Sequence, residues 1–128
     1  MQIIHLESNQ RNTLVNITSD VQKAVKEMDF KEGVVTVYCP HTTAAVTINE
    51  SADPDVQSDI LKRLNIISPD DPSYAHSEGN SDAHIKSSLM GNSVQVFVEK
   101  GQLQLGTWQA IYFCEFDGPR KREVWVRL

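Results

Sequence analysis

Cysteine is scarce in this chain: only Cys39 and Cys114 occur, each inside an apolar, strand-like run. Two cysteines allow at most one disulfide, a chain with this core has little need of it, and two buried thiols are expected. No apolar run approaches the ~20 residues that a bilayer crossing needs, and nothing reads as an export signal, so a cytoplasmic protein without membrane contact is expected. Positive charge is in the minority, with 12 Lys and Arg against 17 Asp and Glu. Nucleic-acid backbones are bound chiefly by lysine and arginine, so no nucleic-acid partner is expected and any anionic ligand must be met locally. Also missing are the phosphate-cradling P-loop, the G-x-S-x-G elbow, H-E-x-x-H and paired C-x-x-C motifs. Serine-nucleophile chemistry loses its usual support.

What is present suits one folded domain over residues 1–128, with 40% hydrophobic residues and no repeat, linker or low-complexity tract to justify a cut. Gln2 to Glu7 and Thr13 to Ile17 read as strands around the polar turn of residues 8–12, most simply a hairpin. Val21, Ala24, Val25 and Met28 repeat at helical spacing behind a cap at Thr18 or Ser19. Val34 to Cys39 and Thr43 to Ile48 are strand-like runs broken at Pro40. Asp53-Pro54 starts a second helix, with Val56, Ile60, Leu61 and Leu64 as its apolar face. A loop containing Pro69 and Pro72 leads to a third helix ending at Gly91. Further strands are read at Val94 to Glu99, Thr107 to Phe116 and Glu123 to Leu128. Elements grouped in blocks, not in strict alternation, predict an α+β fold with mixed or antiparallel sheets and about three helices.

The densest chemistry lies in H-S-E-G-N-S-D-A-H-I-K-S-S-L-M-G, from His76 to Gly91. Gly79 permits a turn, Asn80 or Ser81 can cap the helix that follows, and His84 falls one turn into it. With His41 at the Pro40 break, three imidazoles are available, the donor set of an open zinc site. The plainer reading makes His41 a strand end bonded to backbone and His76 a solvated loop residue. Asn49, Glu50 and Asp53 follow the second middle strand, and Asp53 is equally well a helix cap. In E-F-D-G-P-R-K-R, from Glu115 to Arg122, the Asp-Gly-Pro turn needs only a hairpin, yet Arg120 can grip a phosphate by a two-point fork.

Those two stretches, with H-T-T-A-A-V-T-I-N-E from His41 and G-Q-L-Q-L-G-T-W-Q from Gly101, resemble the YjbQ family, small proteins regarded as secondary thiamine-phosphate synthases. The four blocks lie in the family's order across most of the chain. The resemblance implies a compact α+β, sandwich-like fold and a homotrimer with sites near subunit contacts. It implies a divalent ion, zinc first and magnesium the alternative beside a diphosphate, held by His41, His76 and His84. Glu50, Asp117 and Arg120 become the expected catalytic residues, and Asn49, Asn80 and Arg120 the expected substrate contacts. The implied reaction joins hydroxymethylpyrimidine diphosphate to thiazole phosphate with release of pyrophosphate. Two rivals stand beside it: a metal-dependent hydrolase of a phosphate- or amide-containing small molecule, and a non-catalytic trimeric ligand-binding module.

Overall fold

The structure, a computed structural model, describes residues 1–128. In chain order the elements are β1 (Gln2–Glu7), β2 (Thr13–Asn16), α1 (Thr18–Glu27), β3 (Gly33–Tyr38), β4 (Ala44–Glu50), α2 (Pro54–Ile67), α3 (Ser81–Met90), β5 (Ser93–Glu99), β6 (Gln102–Gln104), β7 (Gln109–Glu115) and β8 (Lys121–Arg127). They build a five-stranded sheet ordered β1-β8-β3-β5-β6 and a three-stranded sheet ordered β2-β7-β4. Every strand pair is antiparallel. The α+β class and the three helices match the sequence reading.

Period-two alternation places the core between the sheets. Val35, Val37, Val96, Val98, Val124 and Val126 come from the larger sheet, and Val46, Ile111 and Phe113 from the smaller. The stripe Val21, Ala24 and Val25 of α1 closes this core from one side. Phe113 is fully buried within it, so truncation to alanine would cost about 3–5 kcal/mol. The alternate residues of β4 and β7, Ala45 and Cys114, face the other way with Phe116, and meet Leu64 of α2 and Ala83 of α3. The two later helices therefore cover the outer face of the smaller sheet. Both cysteines are free and buried. Burial pushes the Cys114 thiol up to about 12 and raises that of Cys39.

Two expected hairpins do not form. β1 pairs with β8 and β2 with β7, so the turn at residues 8–12 crosses from one sheet to the other. The Asp-Gly-Pro segment likewise carries the chain from β7 back to β8 in the other sheet. A polar turn signals that a strand has ended, and a crossing ends it as well as a reversal does. The two crossings touch: Ser8 N donates to Arg120 O at 2.9 Å and Gly118 N to Arg11 O at 3.2 Å. A Cβ at Gly118 would collide with the Gln10 carbonyl and the Ser8 hydroxyl, so close approach demands glycine there.

Helix starts are corrected in detail. Asp53 does accept from Asp55 N, at 2.9 Å, with Pro54 in the first turn of α2. Neither Thr18 nor Ser19 caps α1; Asn16 Oδ1 instead accepts from Thr18 N at 3.0 Å and from Thr18 Oγ1 at 2.7 Å. Asn80 occupies the N-cap position of α3 but makes no side-chain cap bond. On α2 only Leu64 is fully buried, while Val56, Ile60 and Leu61 are partly so. No helix is long and apolar enough to cross a membrane.

Candidate functional site

Helix α3 positions the site because its two sides have opposite environments. Ala83, Lys86 and Ser87 turn inward, which leaves His84 and Ser88, four residues apart, on a common outer stripe. Beside this stripe lies a cleft of about 490 Å³ lined by His41, Thr42, Ala44, His84, Ser87, Ser88, Gly91 and Asn92. Ser87 Oγ donates to Ala83 O at 2.8 Å and Ser88 Oγ to His84 O at 3.0 Å. Bonded this way, the serine oxygens keep their lone pairs for a donor in the cleft. No carboxylate, lysine or arginine lines the walls.

His41 leaves the end of β3 through Pro40 and comes back against β8. Its Nε2 lies 3.0 Å from the Glu123 amide and 3.1 Å from the Glu123 carbonyl oxygen. Burial, and then the Arg122 guanidinium, push its pKa below the ordinary histidine value, so the ring is neutral at physiological pH. A neutral ring that accepts the Glu123 amide at Nε2 carries its proton on Nδ1, which makes no other bond. His76 comes from the loop before α3 and meets His84 edge-on, ring centroids 5.5 Å apart. Its Nε2 stands 3.5 Å from Glu78 Oε2 on the surface.

Asn80, Asp117 and Arg120 are also brought together. Asp117 Oδ2 accepts from Asn80 Nδ2 at 2.9 Å and from Arg120 Nη2 at 3.1 Å, while Arg120 Nε donates to Asp117 O at 2.9 Å. This joins the start of α3 to the β7–β8 crossing. Asn80 Oδ1 is buried without a partner. Asn49 and Glu50 stand apart. They lie at the far end of β4 from Ala44, six residues and roughly 20 Å along the strand. Asn49 Oδ1 accepts the Glu50 amide at 2.7 Å, and the Glu50 carbonyl oxygen accepts from Gln57 and Tyr112. One chain therefore gathers two parts of the expected site and leaves the third elsewhere.

Imidazole donors suit zinc, but His41, with Nε2 accepting the Glu123 amide and its proton on Nδ1, offers no free lone pair to an ion. The placement fits less well, because no group of three or more His, Cys, Asp or Glu side chains in the chain is arranged to hold a metal ion. His84 is the shared member, beside His76 on one side and facing the His41 cleft on the other.

Sequence reasoning missed the hydroxyl wall of the cleft, Thr42, Ser87 and Ser88. Spacing from His84 by three and four residues on one helix is the signal that would have found the serines. It also missed two buried charge networks. Glu115 receives Arg122 Nε at 2.9 Å, Arg122 Nη2 at 2.5 Å and Ser8 Oγ at 2.6 Å, while Arg122 Nη2 also donates to Thr43 Oγ1 at 2.9 Å. This pair ties the β7–β8 crossing to Ser8 after β1 and to Thr43 in the β3–β4 crossing that carries His41. Burial alone would raise the Glu115 carboxyl, but the bonds from Arg122, Ser8 and the Asp117 amide hold it below the usual range. On the inner side of α3, Lys86 Nζ donates to Asn65 Oδ1 at 2.5 Å and Asn12 Oδ1 at 3.2 Å. Asp82 stands 3.9 Å from it and binds Arg11 at 3.2 Å. Burial lowers the Lys86 pKa, Asp82 opposes that shift and Arg11 adds to it.

Fold and site thus define an antiparallel two-sheet α+β domain with a histidine-walled cleft between a surface helix and a sheet crossing. The chain belongs to the UPF0047 family: the family model described as UPF0047 protein YjbQ-like matches residues 2–128. It is 49% identical to a UPF0047 protein of Methanocaldococcus jannaschii, over 96% of this chain and 89% of the relative. It is 45% identical to the UPF0047 protein YugU of Bacillus subtilis, over 100% of this chain and 98% of that one. Among solved structures, an uncharacterised YjbQ/UPF0047 protein of Clostridium acetobutylicum superposes with a TM-score of 0.96 at 52% identity, covering 99% of this chain and 98% of the other. A conserved hypothetical protein of Thermus thermophilus superposes at 0.93 with 43% identity, covering 100% and 99%.

Proposed function

We propose that this protein binds a phosphate-bearing small molecule in the cleft between His41 and His84, and that it joins hydroxymethylpyrimidine diphosphate to thiazole phosphate with release of pyrophosphate. The observation that carries the binding step is the cleft of about 490 Å³ with imidazoles on two sides, where His41 Nδ1–H and the Thr42 hydroxyl are left to donate. A site lined without carboxylates does not repel an anion. Arg120, held by Asp117 and half exposed, meets a phosphate that projects past the start of α3. Asn80 orients Asp117. In this reading His76 and His84 would hold a divalent ion, zinc before magnesium, and His41 would join them only with its Nε2 released from the Glu123 amide. Bound there, the ion would neutralise charge developing on the departing pyrophosphate.

The distance of Asn49 and Glu50 from the cleft fits an assembly in which they serve the site of another copy in a homotrimer, with Glu50 acting on a proton there. Positioning of two organic partners supplies most of the rate in such a condensation.

The test is to incubate the full-length protein with both organic substrates and follow thiamine phosphate by mass spectrometry, with pyrophosphate binding measured by calorimetry in parallel. Product formation that disappears in His84→Ala is the expected result. Pyrophosphate binding without product from the pair would leave a ligand-binding module, and phosphate release from either substrate alone would turn the reading to a hydrolase.

A further inference from the structure

The cleft beside α3 has two walls of opposite hydrogen-bonding sense. On one side His41, its Nε2 accepting the Glu123 amide at 3.0 Å, keeps Nδ1–H to donate, and the Thr42 hydroxyl stands next to it. On the other side Ser87 and Ser88 have their protons committed. A carbonyl oxygen cannot donate, so the contacts at 2.8 Å to Ala83 O and 3.0 Å to His84 O each hold a hydroxyl proton inside the helix. What these two oxygens present to the cleft is lone pairs. An acceptor placed against them breaks a bond to the helix, at about 1 kcal/mol each, whereas a donor breaks neither.

The end of α3 adds to the accepting wall. Gly91 and Asn92, the two residues that follow the helix, line the cleft together with Ser87 and Ser88. Gly91 adopts φ 92°, and a Cβ there would meet nothing within 4 Å, so the backbone at the helix end is bare to the cleft. Its own polar groups are used, the amide by Ser87 O at 3.0 Å and the carbonyl by Val46 N at 3.2 Å. The last carbonyls of a helix have no intrahelical partner. The last turn of α3 holds no basic residue to offset the negative end of the helix dipole. Acceptors and partial negative charge therefore gather at one wall and donors at the other. No carboxylate lines either.

We infer that Ser87 and Ser88 form a subsite for a neutral amino group on a heteroaromatic ring, and that the cleft takes a phosphate whose ring carries one. The amino hydrogens lie against the two serine oxygens while the anionic end turns to His41 and Thr42. An alkylammonium ion is a poorer occupant, because a desolvated charge needs a counter-ion that this wall does not supply; a ring amino group needs acceptors alone. The inference rests on the cleft reading above and deepens it by naming the occupant. Of the two substrates proposed, the pyrimidine bears a ring amino group and the thiazole none, so the cleft is the pyrimidine's place. Bonds to both oxygens favour the amino compound over one lacking the group by about tenfold.

The experiment measures affinities by calorimetry on the full-length protein with three probes: hydroxymethylpyrimidine phosphate, its analogue with hydrogen in place of the ring amino group, and inorganic pyrophosphate. Wild type should bind the amino compound about tenfold more tightly than the analogue. Ser88→Ala, at an exposed position of α3, should cut that ratio to about threefold, the share of the one oxygen that remains. A fold defect would weaken both pyrimidines alike, so the ratio reads the amino group and not stability. Equal affinity of the two pyrimidines for wild type, or an unchanged ratio in Ser88→Ala, would overturn the subsite. Pyrophosphate bound by wild type without any amino preference would remove the subsite alone and keep the cleft reading. A preference that depends on Ser88, with no pyrophosphate binding, would uphold the subsite and remove the anion from the cleft. Binding of none of the three would end both.

Discussion

Two acid–arginine pairs sit within eight residues of chain, Glu115 with Arg122 and Asp117 with Arg120, and they have opposite fates. The first is sealed: the side chains are 0% and 3% exposed, and they are bonded by Ser8, Thr43, the Asp117 amide and the partner ion. The second lies at the surface, with Arg120 50% exposed and Asp117 12%. Identical chemistry becomes a structural clamp where water is excluded and a solvent-facing ion pair where it is not. The difference is one of solvent, since the charges gain far more from each other in the dry site, and leaving either alone there costs more.

The largest expected effect tests the sealed pair. Arg122→Ala leaves the Glu115 carboxylate buried without its partner, and urea unfolding should show a loss of about 3–5 kcal/mol. A loss under 1 kcal/mol would mean that water reaches the pair. The same clamp sets an acid sensitivity. Because Glu115 titrates below the usual carboxylate range in the folded chain, its contribution is present above the unfolded-state value and is lost as pH falls through the folded-state one. Glu115→Gln should flatten stability against pH over that acid interval; an unchanged profile would assign the sensitivity to other groups.

Next comes Lys86, buried on the inner side of α3 between Asn65, Asn12 and Asp82. Lys86→Ala should cost roughly 2–4 kcal/mol, because it opens a cavity and leaves Asp82 with Arg11 alone. Thermal melts of the variant beside Lys62→Ala, an exposed lysine of α2, separate burial from simple loss of charge.

The exposed pair should behave in the reverse way. Arg120→Ala is expected to shift stability by no more than about 1 kcal/mol and to reduce pyrophosphate affinity about tenfold, the worth of one charge-assisted contact. Intact affinity would remove Arg120 from the site. The smallest effect on stability is expected from His84→Ala, within about 0.5 kcal/mol, while elemental analysis of protein purified without chelator should lose whatever zinc the wild type carries. Equal metal content in both would strike His84 from the ligand set.

Much of this could be read along the chain. Alternation in the valine-rich strands and the spacing of Val21, Ala24 and Val25 located the core, because period and burial are linked by local geometry. The Asp53-Pro54 start of α2 is a local device and is legible in the sequence. Partner choice was not local: the polar turns after Glu7 and Glu115 looked like reversals and are crossings. Within the candidate site, the grouping of Asn80, Asp117 and Arg120 joined residues 37 positions apart in sequence, and only the resemblance to a family put them together. Asn49 and Glu50 came from the same resemblance, and a single chain holds them far from the cleft.

Residue order by itself determined which stretches became strands or helices, which faces were apolar, and that three histidines were available, because these follow from backbone propensity and side-chain period. Tertiary structure alone decided which acid met which arginine, that His41 is clasped by the backbone of Glu123, and that His84 looks into a polar cleft. Those outcomes depend on where two sheets stack and how water is excluded between them, and no short window of sequence contains either.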